Sequence, residues 1–259
     1  MKAALHAEWT KLRTLAGTIW LLGAAVALTV GLGVAATAAV ICPSGGCTVD
    51  PAKLSLTGIQ LGQAAVAIVA VLVISNEYHT GMIRTTFAAM PRRPTVLAAK
   101  AVVVSGVALA AGIIAVPISL LAGRLILPGH GFTAARGFPP LSPGDVPVLR
   151  AAAGSVLYLA LIALLSLGAA TIIRDSAAAI GAVLGLLYLP PIIAAVLASN
   201  PHWQHQIERY APMNAGLTIQ DTTNLHGLPI SPWAGLGVLA VWAAAALLIG
   251  GLVLRLRDA

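Results

Sequence analysis

The chain holds 259 residues, 59% of them hydrophobic and only 9% charged, with 15 basic against 8 acidic side chains and a formal net charge of +7. Charged residues make up about a quarter of an ordinary soluble domain, so this composition excludes a soluble globular enzyme. A nucleic-acid-binding protein is excluded as well, because no polar module is left over to carry a basic face.

Residues 1–16 place Leu5, Trp9, Leu12 and Ala16 at helical spacing, with Lys2, Lys11 and Arg13 to the sides. The pattern predicts a helix lying in the membrane interface, its indole at headgroup level and its basic side chains reaching lipid phosphates. A frayed basic tail is the alternative. Six apolar runs follow, near 17–41, 56–75, 101–121, 151–173, 177–198 and 233–254, each of the length that crosses a hydrocarbon core as helix. Transmembrane barrel strands would instead alternate over about ten residues. The first run is too long for a cleavable signal peptide and lacks a small-residue cleavage site, so it is read as a span. Just after it, Cys42-Pro-Ser-Gly-Gly-Cys47 forms a short loop that would close a disulfide on the oxidising side of a membrane, or would leave two unpaired thiols.

Between the second and third runs stands NEYHTGMIRTTFAAMPRR, residues 76–93. Read as a helix from Asn76 to about Met90, it lines up Glu77, Gly81, Arg84 and Ala88 on one side, with Ile83, Phe87 and Met90 toward another. Pro91 and Pro94 would end it before Lys100 re-enters the bilayer. Such a helix under the membrane offers a carboxylate and a guanidinium to a soluble partner, since paired charges specify register. A solvated loop is the alternative. The segment 122–149, rich in Gly and Pro, predicts an irregular loop. In 199–232, Trp203, Ile207 and Tyr210 recur at helical spacing and predict a short helix that rests on or dips into the outer leaflet. Pro117 in the third run, and Pro190 with Pro191 in the fifth, predict kinks whose freed carbonyls need new partners.

Orientation follows from the basic residues. With the N-terminus inside, ten lie on the inner side (Lys2, Lys11, Arg13, Arg84, Arg92, Arg93, Lys100, Arg174, Arg255, Arg257) and five outside (Lys53, Arg124, Arg136, Arg150, Arg209), which predicts both termini inside.

Hydrolase, zinc-protease and P-loop motifs are absent from the sequence. His202, His205 and Glu208 only partly share a helix face and are read as polar surface rather than as a metal site. No acidic or basic residue falls near the middle of a run, which argues against an ion-coupled transporter. Gln60 and Gln63 share a helix face and either bond a neighbouring helix or line a path.

The stretch NEYHTGMIRTTFAAMPRRPTVLAAK resembles the cytoplasmic loop between the second and third spans of ABC-2 type permeases, through Glu77, Tyr78, Gly81, Ile83, Arg84, Pro91, Arg92, Arg93 and Lys100. EWTKLRT at 8–14 is similar to the start of that family, and the six-span plan covers the chain. The resemblance implies that residues 76–98 hold a coupling helix seated on a separate ATP-binding subunit, with Glu77, Tyr78, Gly81 and Arg84 at the docking surface. Arg174 and Asp175, in the turn between the fourth and fifth spans, form a second candidate contact. It further implies two permease copies, identical or not, with two ATPase copies; ATP and Mg on the partner subunit and no cofactor on this chain; and a short re-entrant helix before the last span. Gln60, Gln63 and Tyr188 become candidate path-lining residues. The expected protein is therefore an all-α membrane protein, a single transmembrane domain over 1–259 in a bacterial cytoplasmic membrane. It would act without catalytic residues of its own, as the permease of an exporter for an amphipathic drug, antibiotic or lipid-like molecule. The alternatives are a non-transporting scaffold or immunity protein, and an ion-coupled secondary transporter.

Overall fold

All six apolar runs are helices in the computed structural model, each long and apolar enough to cross a membrane. The structure describes residues 7–10, 16–42, 49–82, 93–134, 138, 141–142, 144–197 and 200–257. The elements are α1 (Ala16–Ala39), α2 (Pro51–Ser55), α3 (Ile59–His79), α4 (Arg93–Ile126), α5 (Val146–Ile173), α6 (Ser176–Val196), α7 (Pro201–Tyr210), α8 (Pro212–Leu217) and α9 (Pro232–Arg257), with 3-10 turns at Leu127–His130, Thr218–Gln220 and Leu225–Gly227. Helix is the form that such runs must take, because hydrocarbon offers the backbone no hydrogen-bond partner outside the segment.

Hydrophobicity alone does not rank these helices, since all are apolar; burial does. The apolar windows of α3 and α5 are 61% buried inside the chain, against 22% for α1, α6 and α9. Helix α5 is the axis, packed on α3, α4, α6 and α9, while α1 lies across α3 and α4. Between helices in lipid, close backbone approach replaces the hydrophobic effect as the main drive, and glycines make that approach. A Cβ on Gly168 would sit 2.6 Å from the backbone carbon of Ala246, and one on Gly58 would sit 1.8 Å from the carbonyl oxygen of Thr29. Because the atoms in the way are backbone, no rotamer change can relieve the clash. Gly168→Leu is accordingly expected to destabilise the fold by about 1–3 kcal/mol or more through forced separation of α5 and α9, read as a lower unfolding temperature in detergent.

Several boundaries differ from expectation. Helix α4 begins at Arg93 and carries Pro94 in its first turn, where a missing N–H removes no helical bond, so that proline opens the third span rather than closing the segment before it. At its far end α4 runs to Ile126 and continues as the turn Leu127–His130. Of the irregular loop expected over 122–149, residues 122–130 thus belong to α4 and this turn, and 146–149 to α5. Residues from this region form a small second core of Cys42, Leu127 and Phe132, with Phe138 packed against it. Cys42 is buried and disulfide-bonded; Cys47 lies outside the described residues. Pro117, Pro190 and Pro191 stand inside helices that continue past them.

The described part of the expected helix from Asn76 to Met90 is interrupted. Residues 76–79 are the last turn of α3, and Gly81, at φ 70, ends it, a left-handed backbone that favours glycine. Arg84 and the rest of 83–92 lie outside the described residues. Of the N-terminal helix, residues 7–10 are helical; 1–6 and 11–15 lie outside the described residues. Two short helices precede the last span: α7 has no buried residue, whereas α8 is buried at Pro212, Met213, Ala215, Gly216 and Leu217.

Candidate functional site

Polar side chains gather at both ends of this bundle and in one layer between them. The first cluster is built on Lys100, on the second turn of α4. Its Nζ lies 2.7 Å from Glu8 Oε2 and 2.7 Å from Glu77 Oε1, and the three side chains are 1%, 3% and 4% exposed. A buried charge is tolerable only when paired, so the ammonium draws both carboxylates inward. Three separate segments, the 7–10 turn, the end of α3 and the start of α4, are thereby held in one register. Glu77, expected on a polar face turned to a soluble partner, is instead enclosed by this pairing.

The neighbouring candidate residues are placed as follows. Tyr78 is half-buried, with the guanidinium of Arg174 5.4 Å from its ring centre. Arg174 closes α5 with a left-handed backbone, φ 66, and Asp175 caps α6 by accepting from Ala178 N at 2.8 Å. The turn and cap bring the end of α5 to the end of α3, which sets Arg174 beside the 76–82 segment. Around the enclosed Glu77, the exposed residues among those described in that segment are Asn76, Thr80, Gly81 and Met82.

The middle layer is neutral. Gln63 is fully buried; its Oε1 accepts from Tyr158 Oη, and its Nε2 donates to Gln60 O at 3.0 Å and to Met213 Sδ at 3.2 Å. Tyr188 Oη donates to the same Gln60 carbonyl. Helices α3, α5, α6 and α8 are joined through these four side chains, the expected interhelical use of Gln63. Of the three candidate path residues, Gln63 is enclosed, Tyr188 is half-buried on the Gln60 carbonyl, and Gln60 borders a cavity.

The second cluster lies past the Gln60 end of α3, and Gln60 is about 25 Å along that helix from Glu77 at 1.5 Å per residue. Asp50 caps α2, accepting from Ala52 N at 3.0 Å and Lys53 N at 3.3 Å. It also accepts from Thr222 Oγ1 at 2.7 Å and Thr223 N at 3.0 Å, which fastens the chain before α9 to the chain before α3. Lys53 Nζ lies 2.7 Å from Asp221 Oδ1, Arg150 donates to the Asp221 carbonyl, and Gln220 Nε2 donates to Ser155 Oγ at 3.2 Å. Next to this cluster opens a cavity of about 350 Å³, bordered by Lys53, Gln60, Glu208, Asn214 and Asp221 among apolar side chains. His202 and His205 are exposed on α7, and among the described residues no three His, Cys, Asp or Glu side chains are grouped to hold a metal ion.

Sequence reasoning missed Glu8, Asp50 and Asp221. Only Asp50 carried a local signal, an Asp directly before Pro51 at a helix start, the residue order of a capped N-terminus. The other two act through partners 92 and 168 positions away. Compared with known proteins, the chain matches no family model and no curated protein.

Proposed function

We propose that this chain is the membrane-embedded permease of an ATP-driven exporter. It would move an amphipathic molecule with energy from ATP hydrolysed on a separate subunit that docks at the 80–92 connection. The observation that carries this reading is the buried Glu8–Lys100–Glu77 triad. A connection that transmits a partner's movement to the spans needs a stiff root, and the two helices that flank this one, α3 and α4, are joined at their roots by a buried, doubly paired ammonium. The residues next to that root, Thr80 to Met82, are exposed. Arg174 and Asp175 stand beside the same end and provide a second docking edge. In this reading Glu77 positions the docking segment rather than touching the partner.

Closure of an ATPase dimer would shift the 80–92 connection, and the triad would pass that shift to α3 and α4. The absence of charge in the middle of the described spans favours an external energy source over an ion gradient. Family resemblance around 76–100 supports the same reading, as does the presence of six apolar helices. A second permease copy would complete the path.

The test is to tag the chain, extract it mildly from its native membrane, and look for a nucleotide-binding subunit by mass spectrometry and ATPase assay. A stoichiometric ATPase is expected with the wild type and is expected to be lost from Thr80→Arg, an exposed position at the end of α3, with unchanged unfolding temperature as the check on folding. No ATPase from well-folded chain would overturn the permease reading and favour the scaffold or gradient-driven alternatives.

A further inference from the structure

We propose that the cavity beside Lys53 and Asp221 binds an amphipathic cation, a ligand with an ammonium or guanidinium group on an apolar body. This names the substrate class of the proposed permease and rests on that reading for transport, while binding itself is a property of this chain alone. The cavity, about 350 Å³ in volume, falls within the range of about 300–1,000 Å³ usual for small-molecule sites. Among the described residues its charged wall is Lys53, Glu208 and Asp221, one cation against two carboxylates. Pro191 and Met213 contribute apolar surface.

The wall has more acceptors than donors. Asp221 is only 7% exposed, and Lys53 reaches its Oδ1, but no donor reaches its Oδ2. Asn214 Oδ1 is likewise buried without a donor. Buried acceptors in that condition are rare in folded proteins and call for a cause. A ligand ammonium that displaces Lys53 reaches the Asp221 carboxylate at the position Lys53 Nζ now holds, and an anion would meet two carboxylates instead.

Lys53 shows how the cation would enter. Its side chain is 45% exposed on a long flexible stem, so its ammonium can leave the carboxylate for solvent when another cation takes its place. Its ammonium occupies the Asp221 carboxylate as a tethered stand-in for the ligand's cation. An incoming ammonium would take that position, contact Glu208 on the other side, and release Lys53 to solvent.

The test uses the purified chain in lipid nanodiscs, with empty nanodiscs as the control for partition, and two probes of similar shape and opposite charge, 1-naphthylmethylammonium and 1-naphthylacetate. Calorimetry is expected to show one saturable site for the cation, with affinity about tenfold or more above that of the anion, the scale of one charge-assisted hydrogen bond. Lys53→Met is expected to tighten cation binding severalfold, because it removes the competitor. Glu208→Gln and Asp221→Asn are each expected to weaken it about tenfold. Should Asp221→Asn fail to fold, the exposed Lys53 and half-buried Glu208 still decide the matter. Equal affinity for both probes, or a Lys53→Met variant that binds the cation no more tightly, would overturn the proposal. Cation binding without an ATPase partner would leave this site standing and remove the permease reading; an ATPase partner without cation binding would do the reverse.

Discussion

Replacing Lys100 with Met is expected to be the most damaging single substitution in the chain. The side chain is 1% exposed and pairs with both Glu8 and Glu77, so its loss removes the ammonium that these two enclosed carboxylates share. Breaking a buried pair in this way costs about 3–5 kcal/mol, because the remaining charge keeps its desolvation penalty and loses that part of its compensation. Thermal unfolding in detergent should show a large drop, or the variant should fail to accumulate. Neutralising the whole cluster, as Glu8→Gln with Lys100→Met and Glu77→Gln, should recover much of the loss, since a neutral, well-packed site of similar volume is often as stable as the ionic one. If the triple variant is as unstable as Lys100→Met alone, the triad does not stabilise by charge pairing. On the permease reading the recovered variant should still fold but respond weakly to nucleotide, because the connection has lost its fixed root.

Asp50→Ala is expected to have the second largest effect, at the opposite end of the bundle. The carboxylate is 8% exposed and accepts from α2 and from Thr222 and Thr223 at once. Loss of the cap costs about 1 kcal/mol, and the backbone N–H groups left without an acceptor add about 1–3 kcal/mol. Asp50→Asn retains an acceptor oxygen and should lose less, which separates the hydrogen-bonding role from general packing. Unfolding temperatures of the two variants, measured side by side, check the order. An Asp50→Ala protein as stable as the wild type would mean that the 218–223 segment is held by other contacts.

The spans were legible because their signal is local: twenty apolar residues in a row have one backbone solution in hydrocarbon. Their ends were less so. Pro94 reads as the end of the segment before it and Pro147 as part of the 122–149 loop, yet both stand in the first turn of a helix, the position where proline is compatible with helix. The spacing puts Gly81 on a continuous docking helix, whereas its left-handed backbone ends α3. The charge clusters depended on distant pairs, Glu8 with Lys100 and Lys53 with Asp221, and no spacing rule joins residues so far apart. Gln63 was legible as a polar group on a helix face, but its choice between neighbouring helix and path rested on Tyr158 and Met213, which no local pattern brings to it. The short buried helix α8 was hidden in a polar stretch, because its six residues are too few to show periodicity.

The most direct measurement is a site-specific cross-link from the exposed turn after α3. A photoreactive group placed at Thr80, in a Thr80→Cys chain kept in its native membrane, should capture one soluble ATP-hydrolysing subunit, and the yield should change when nucleotide is added. Capture of lipid alone, or of the same proteins with and without nucleotide, would contradict the claim that this connection receives the movement of an ATPase.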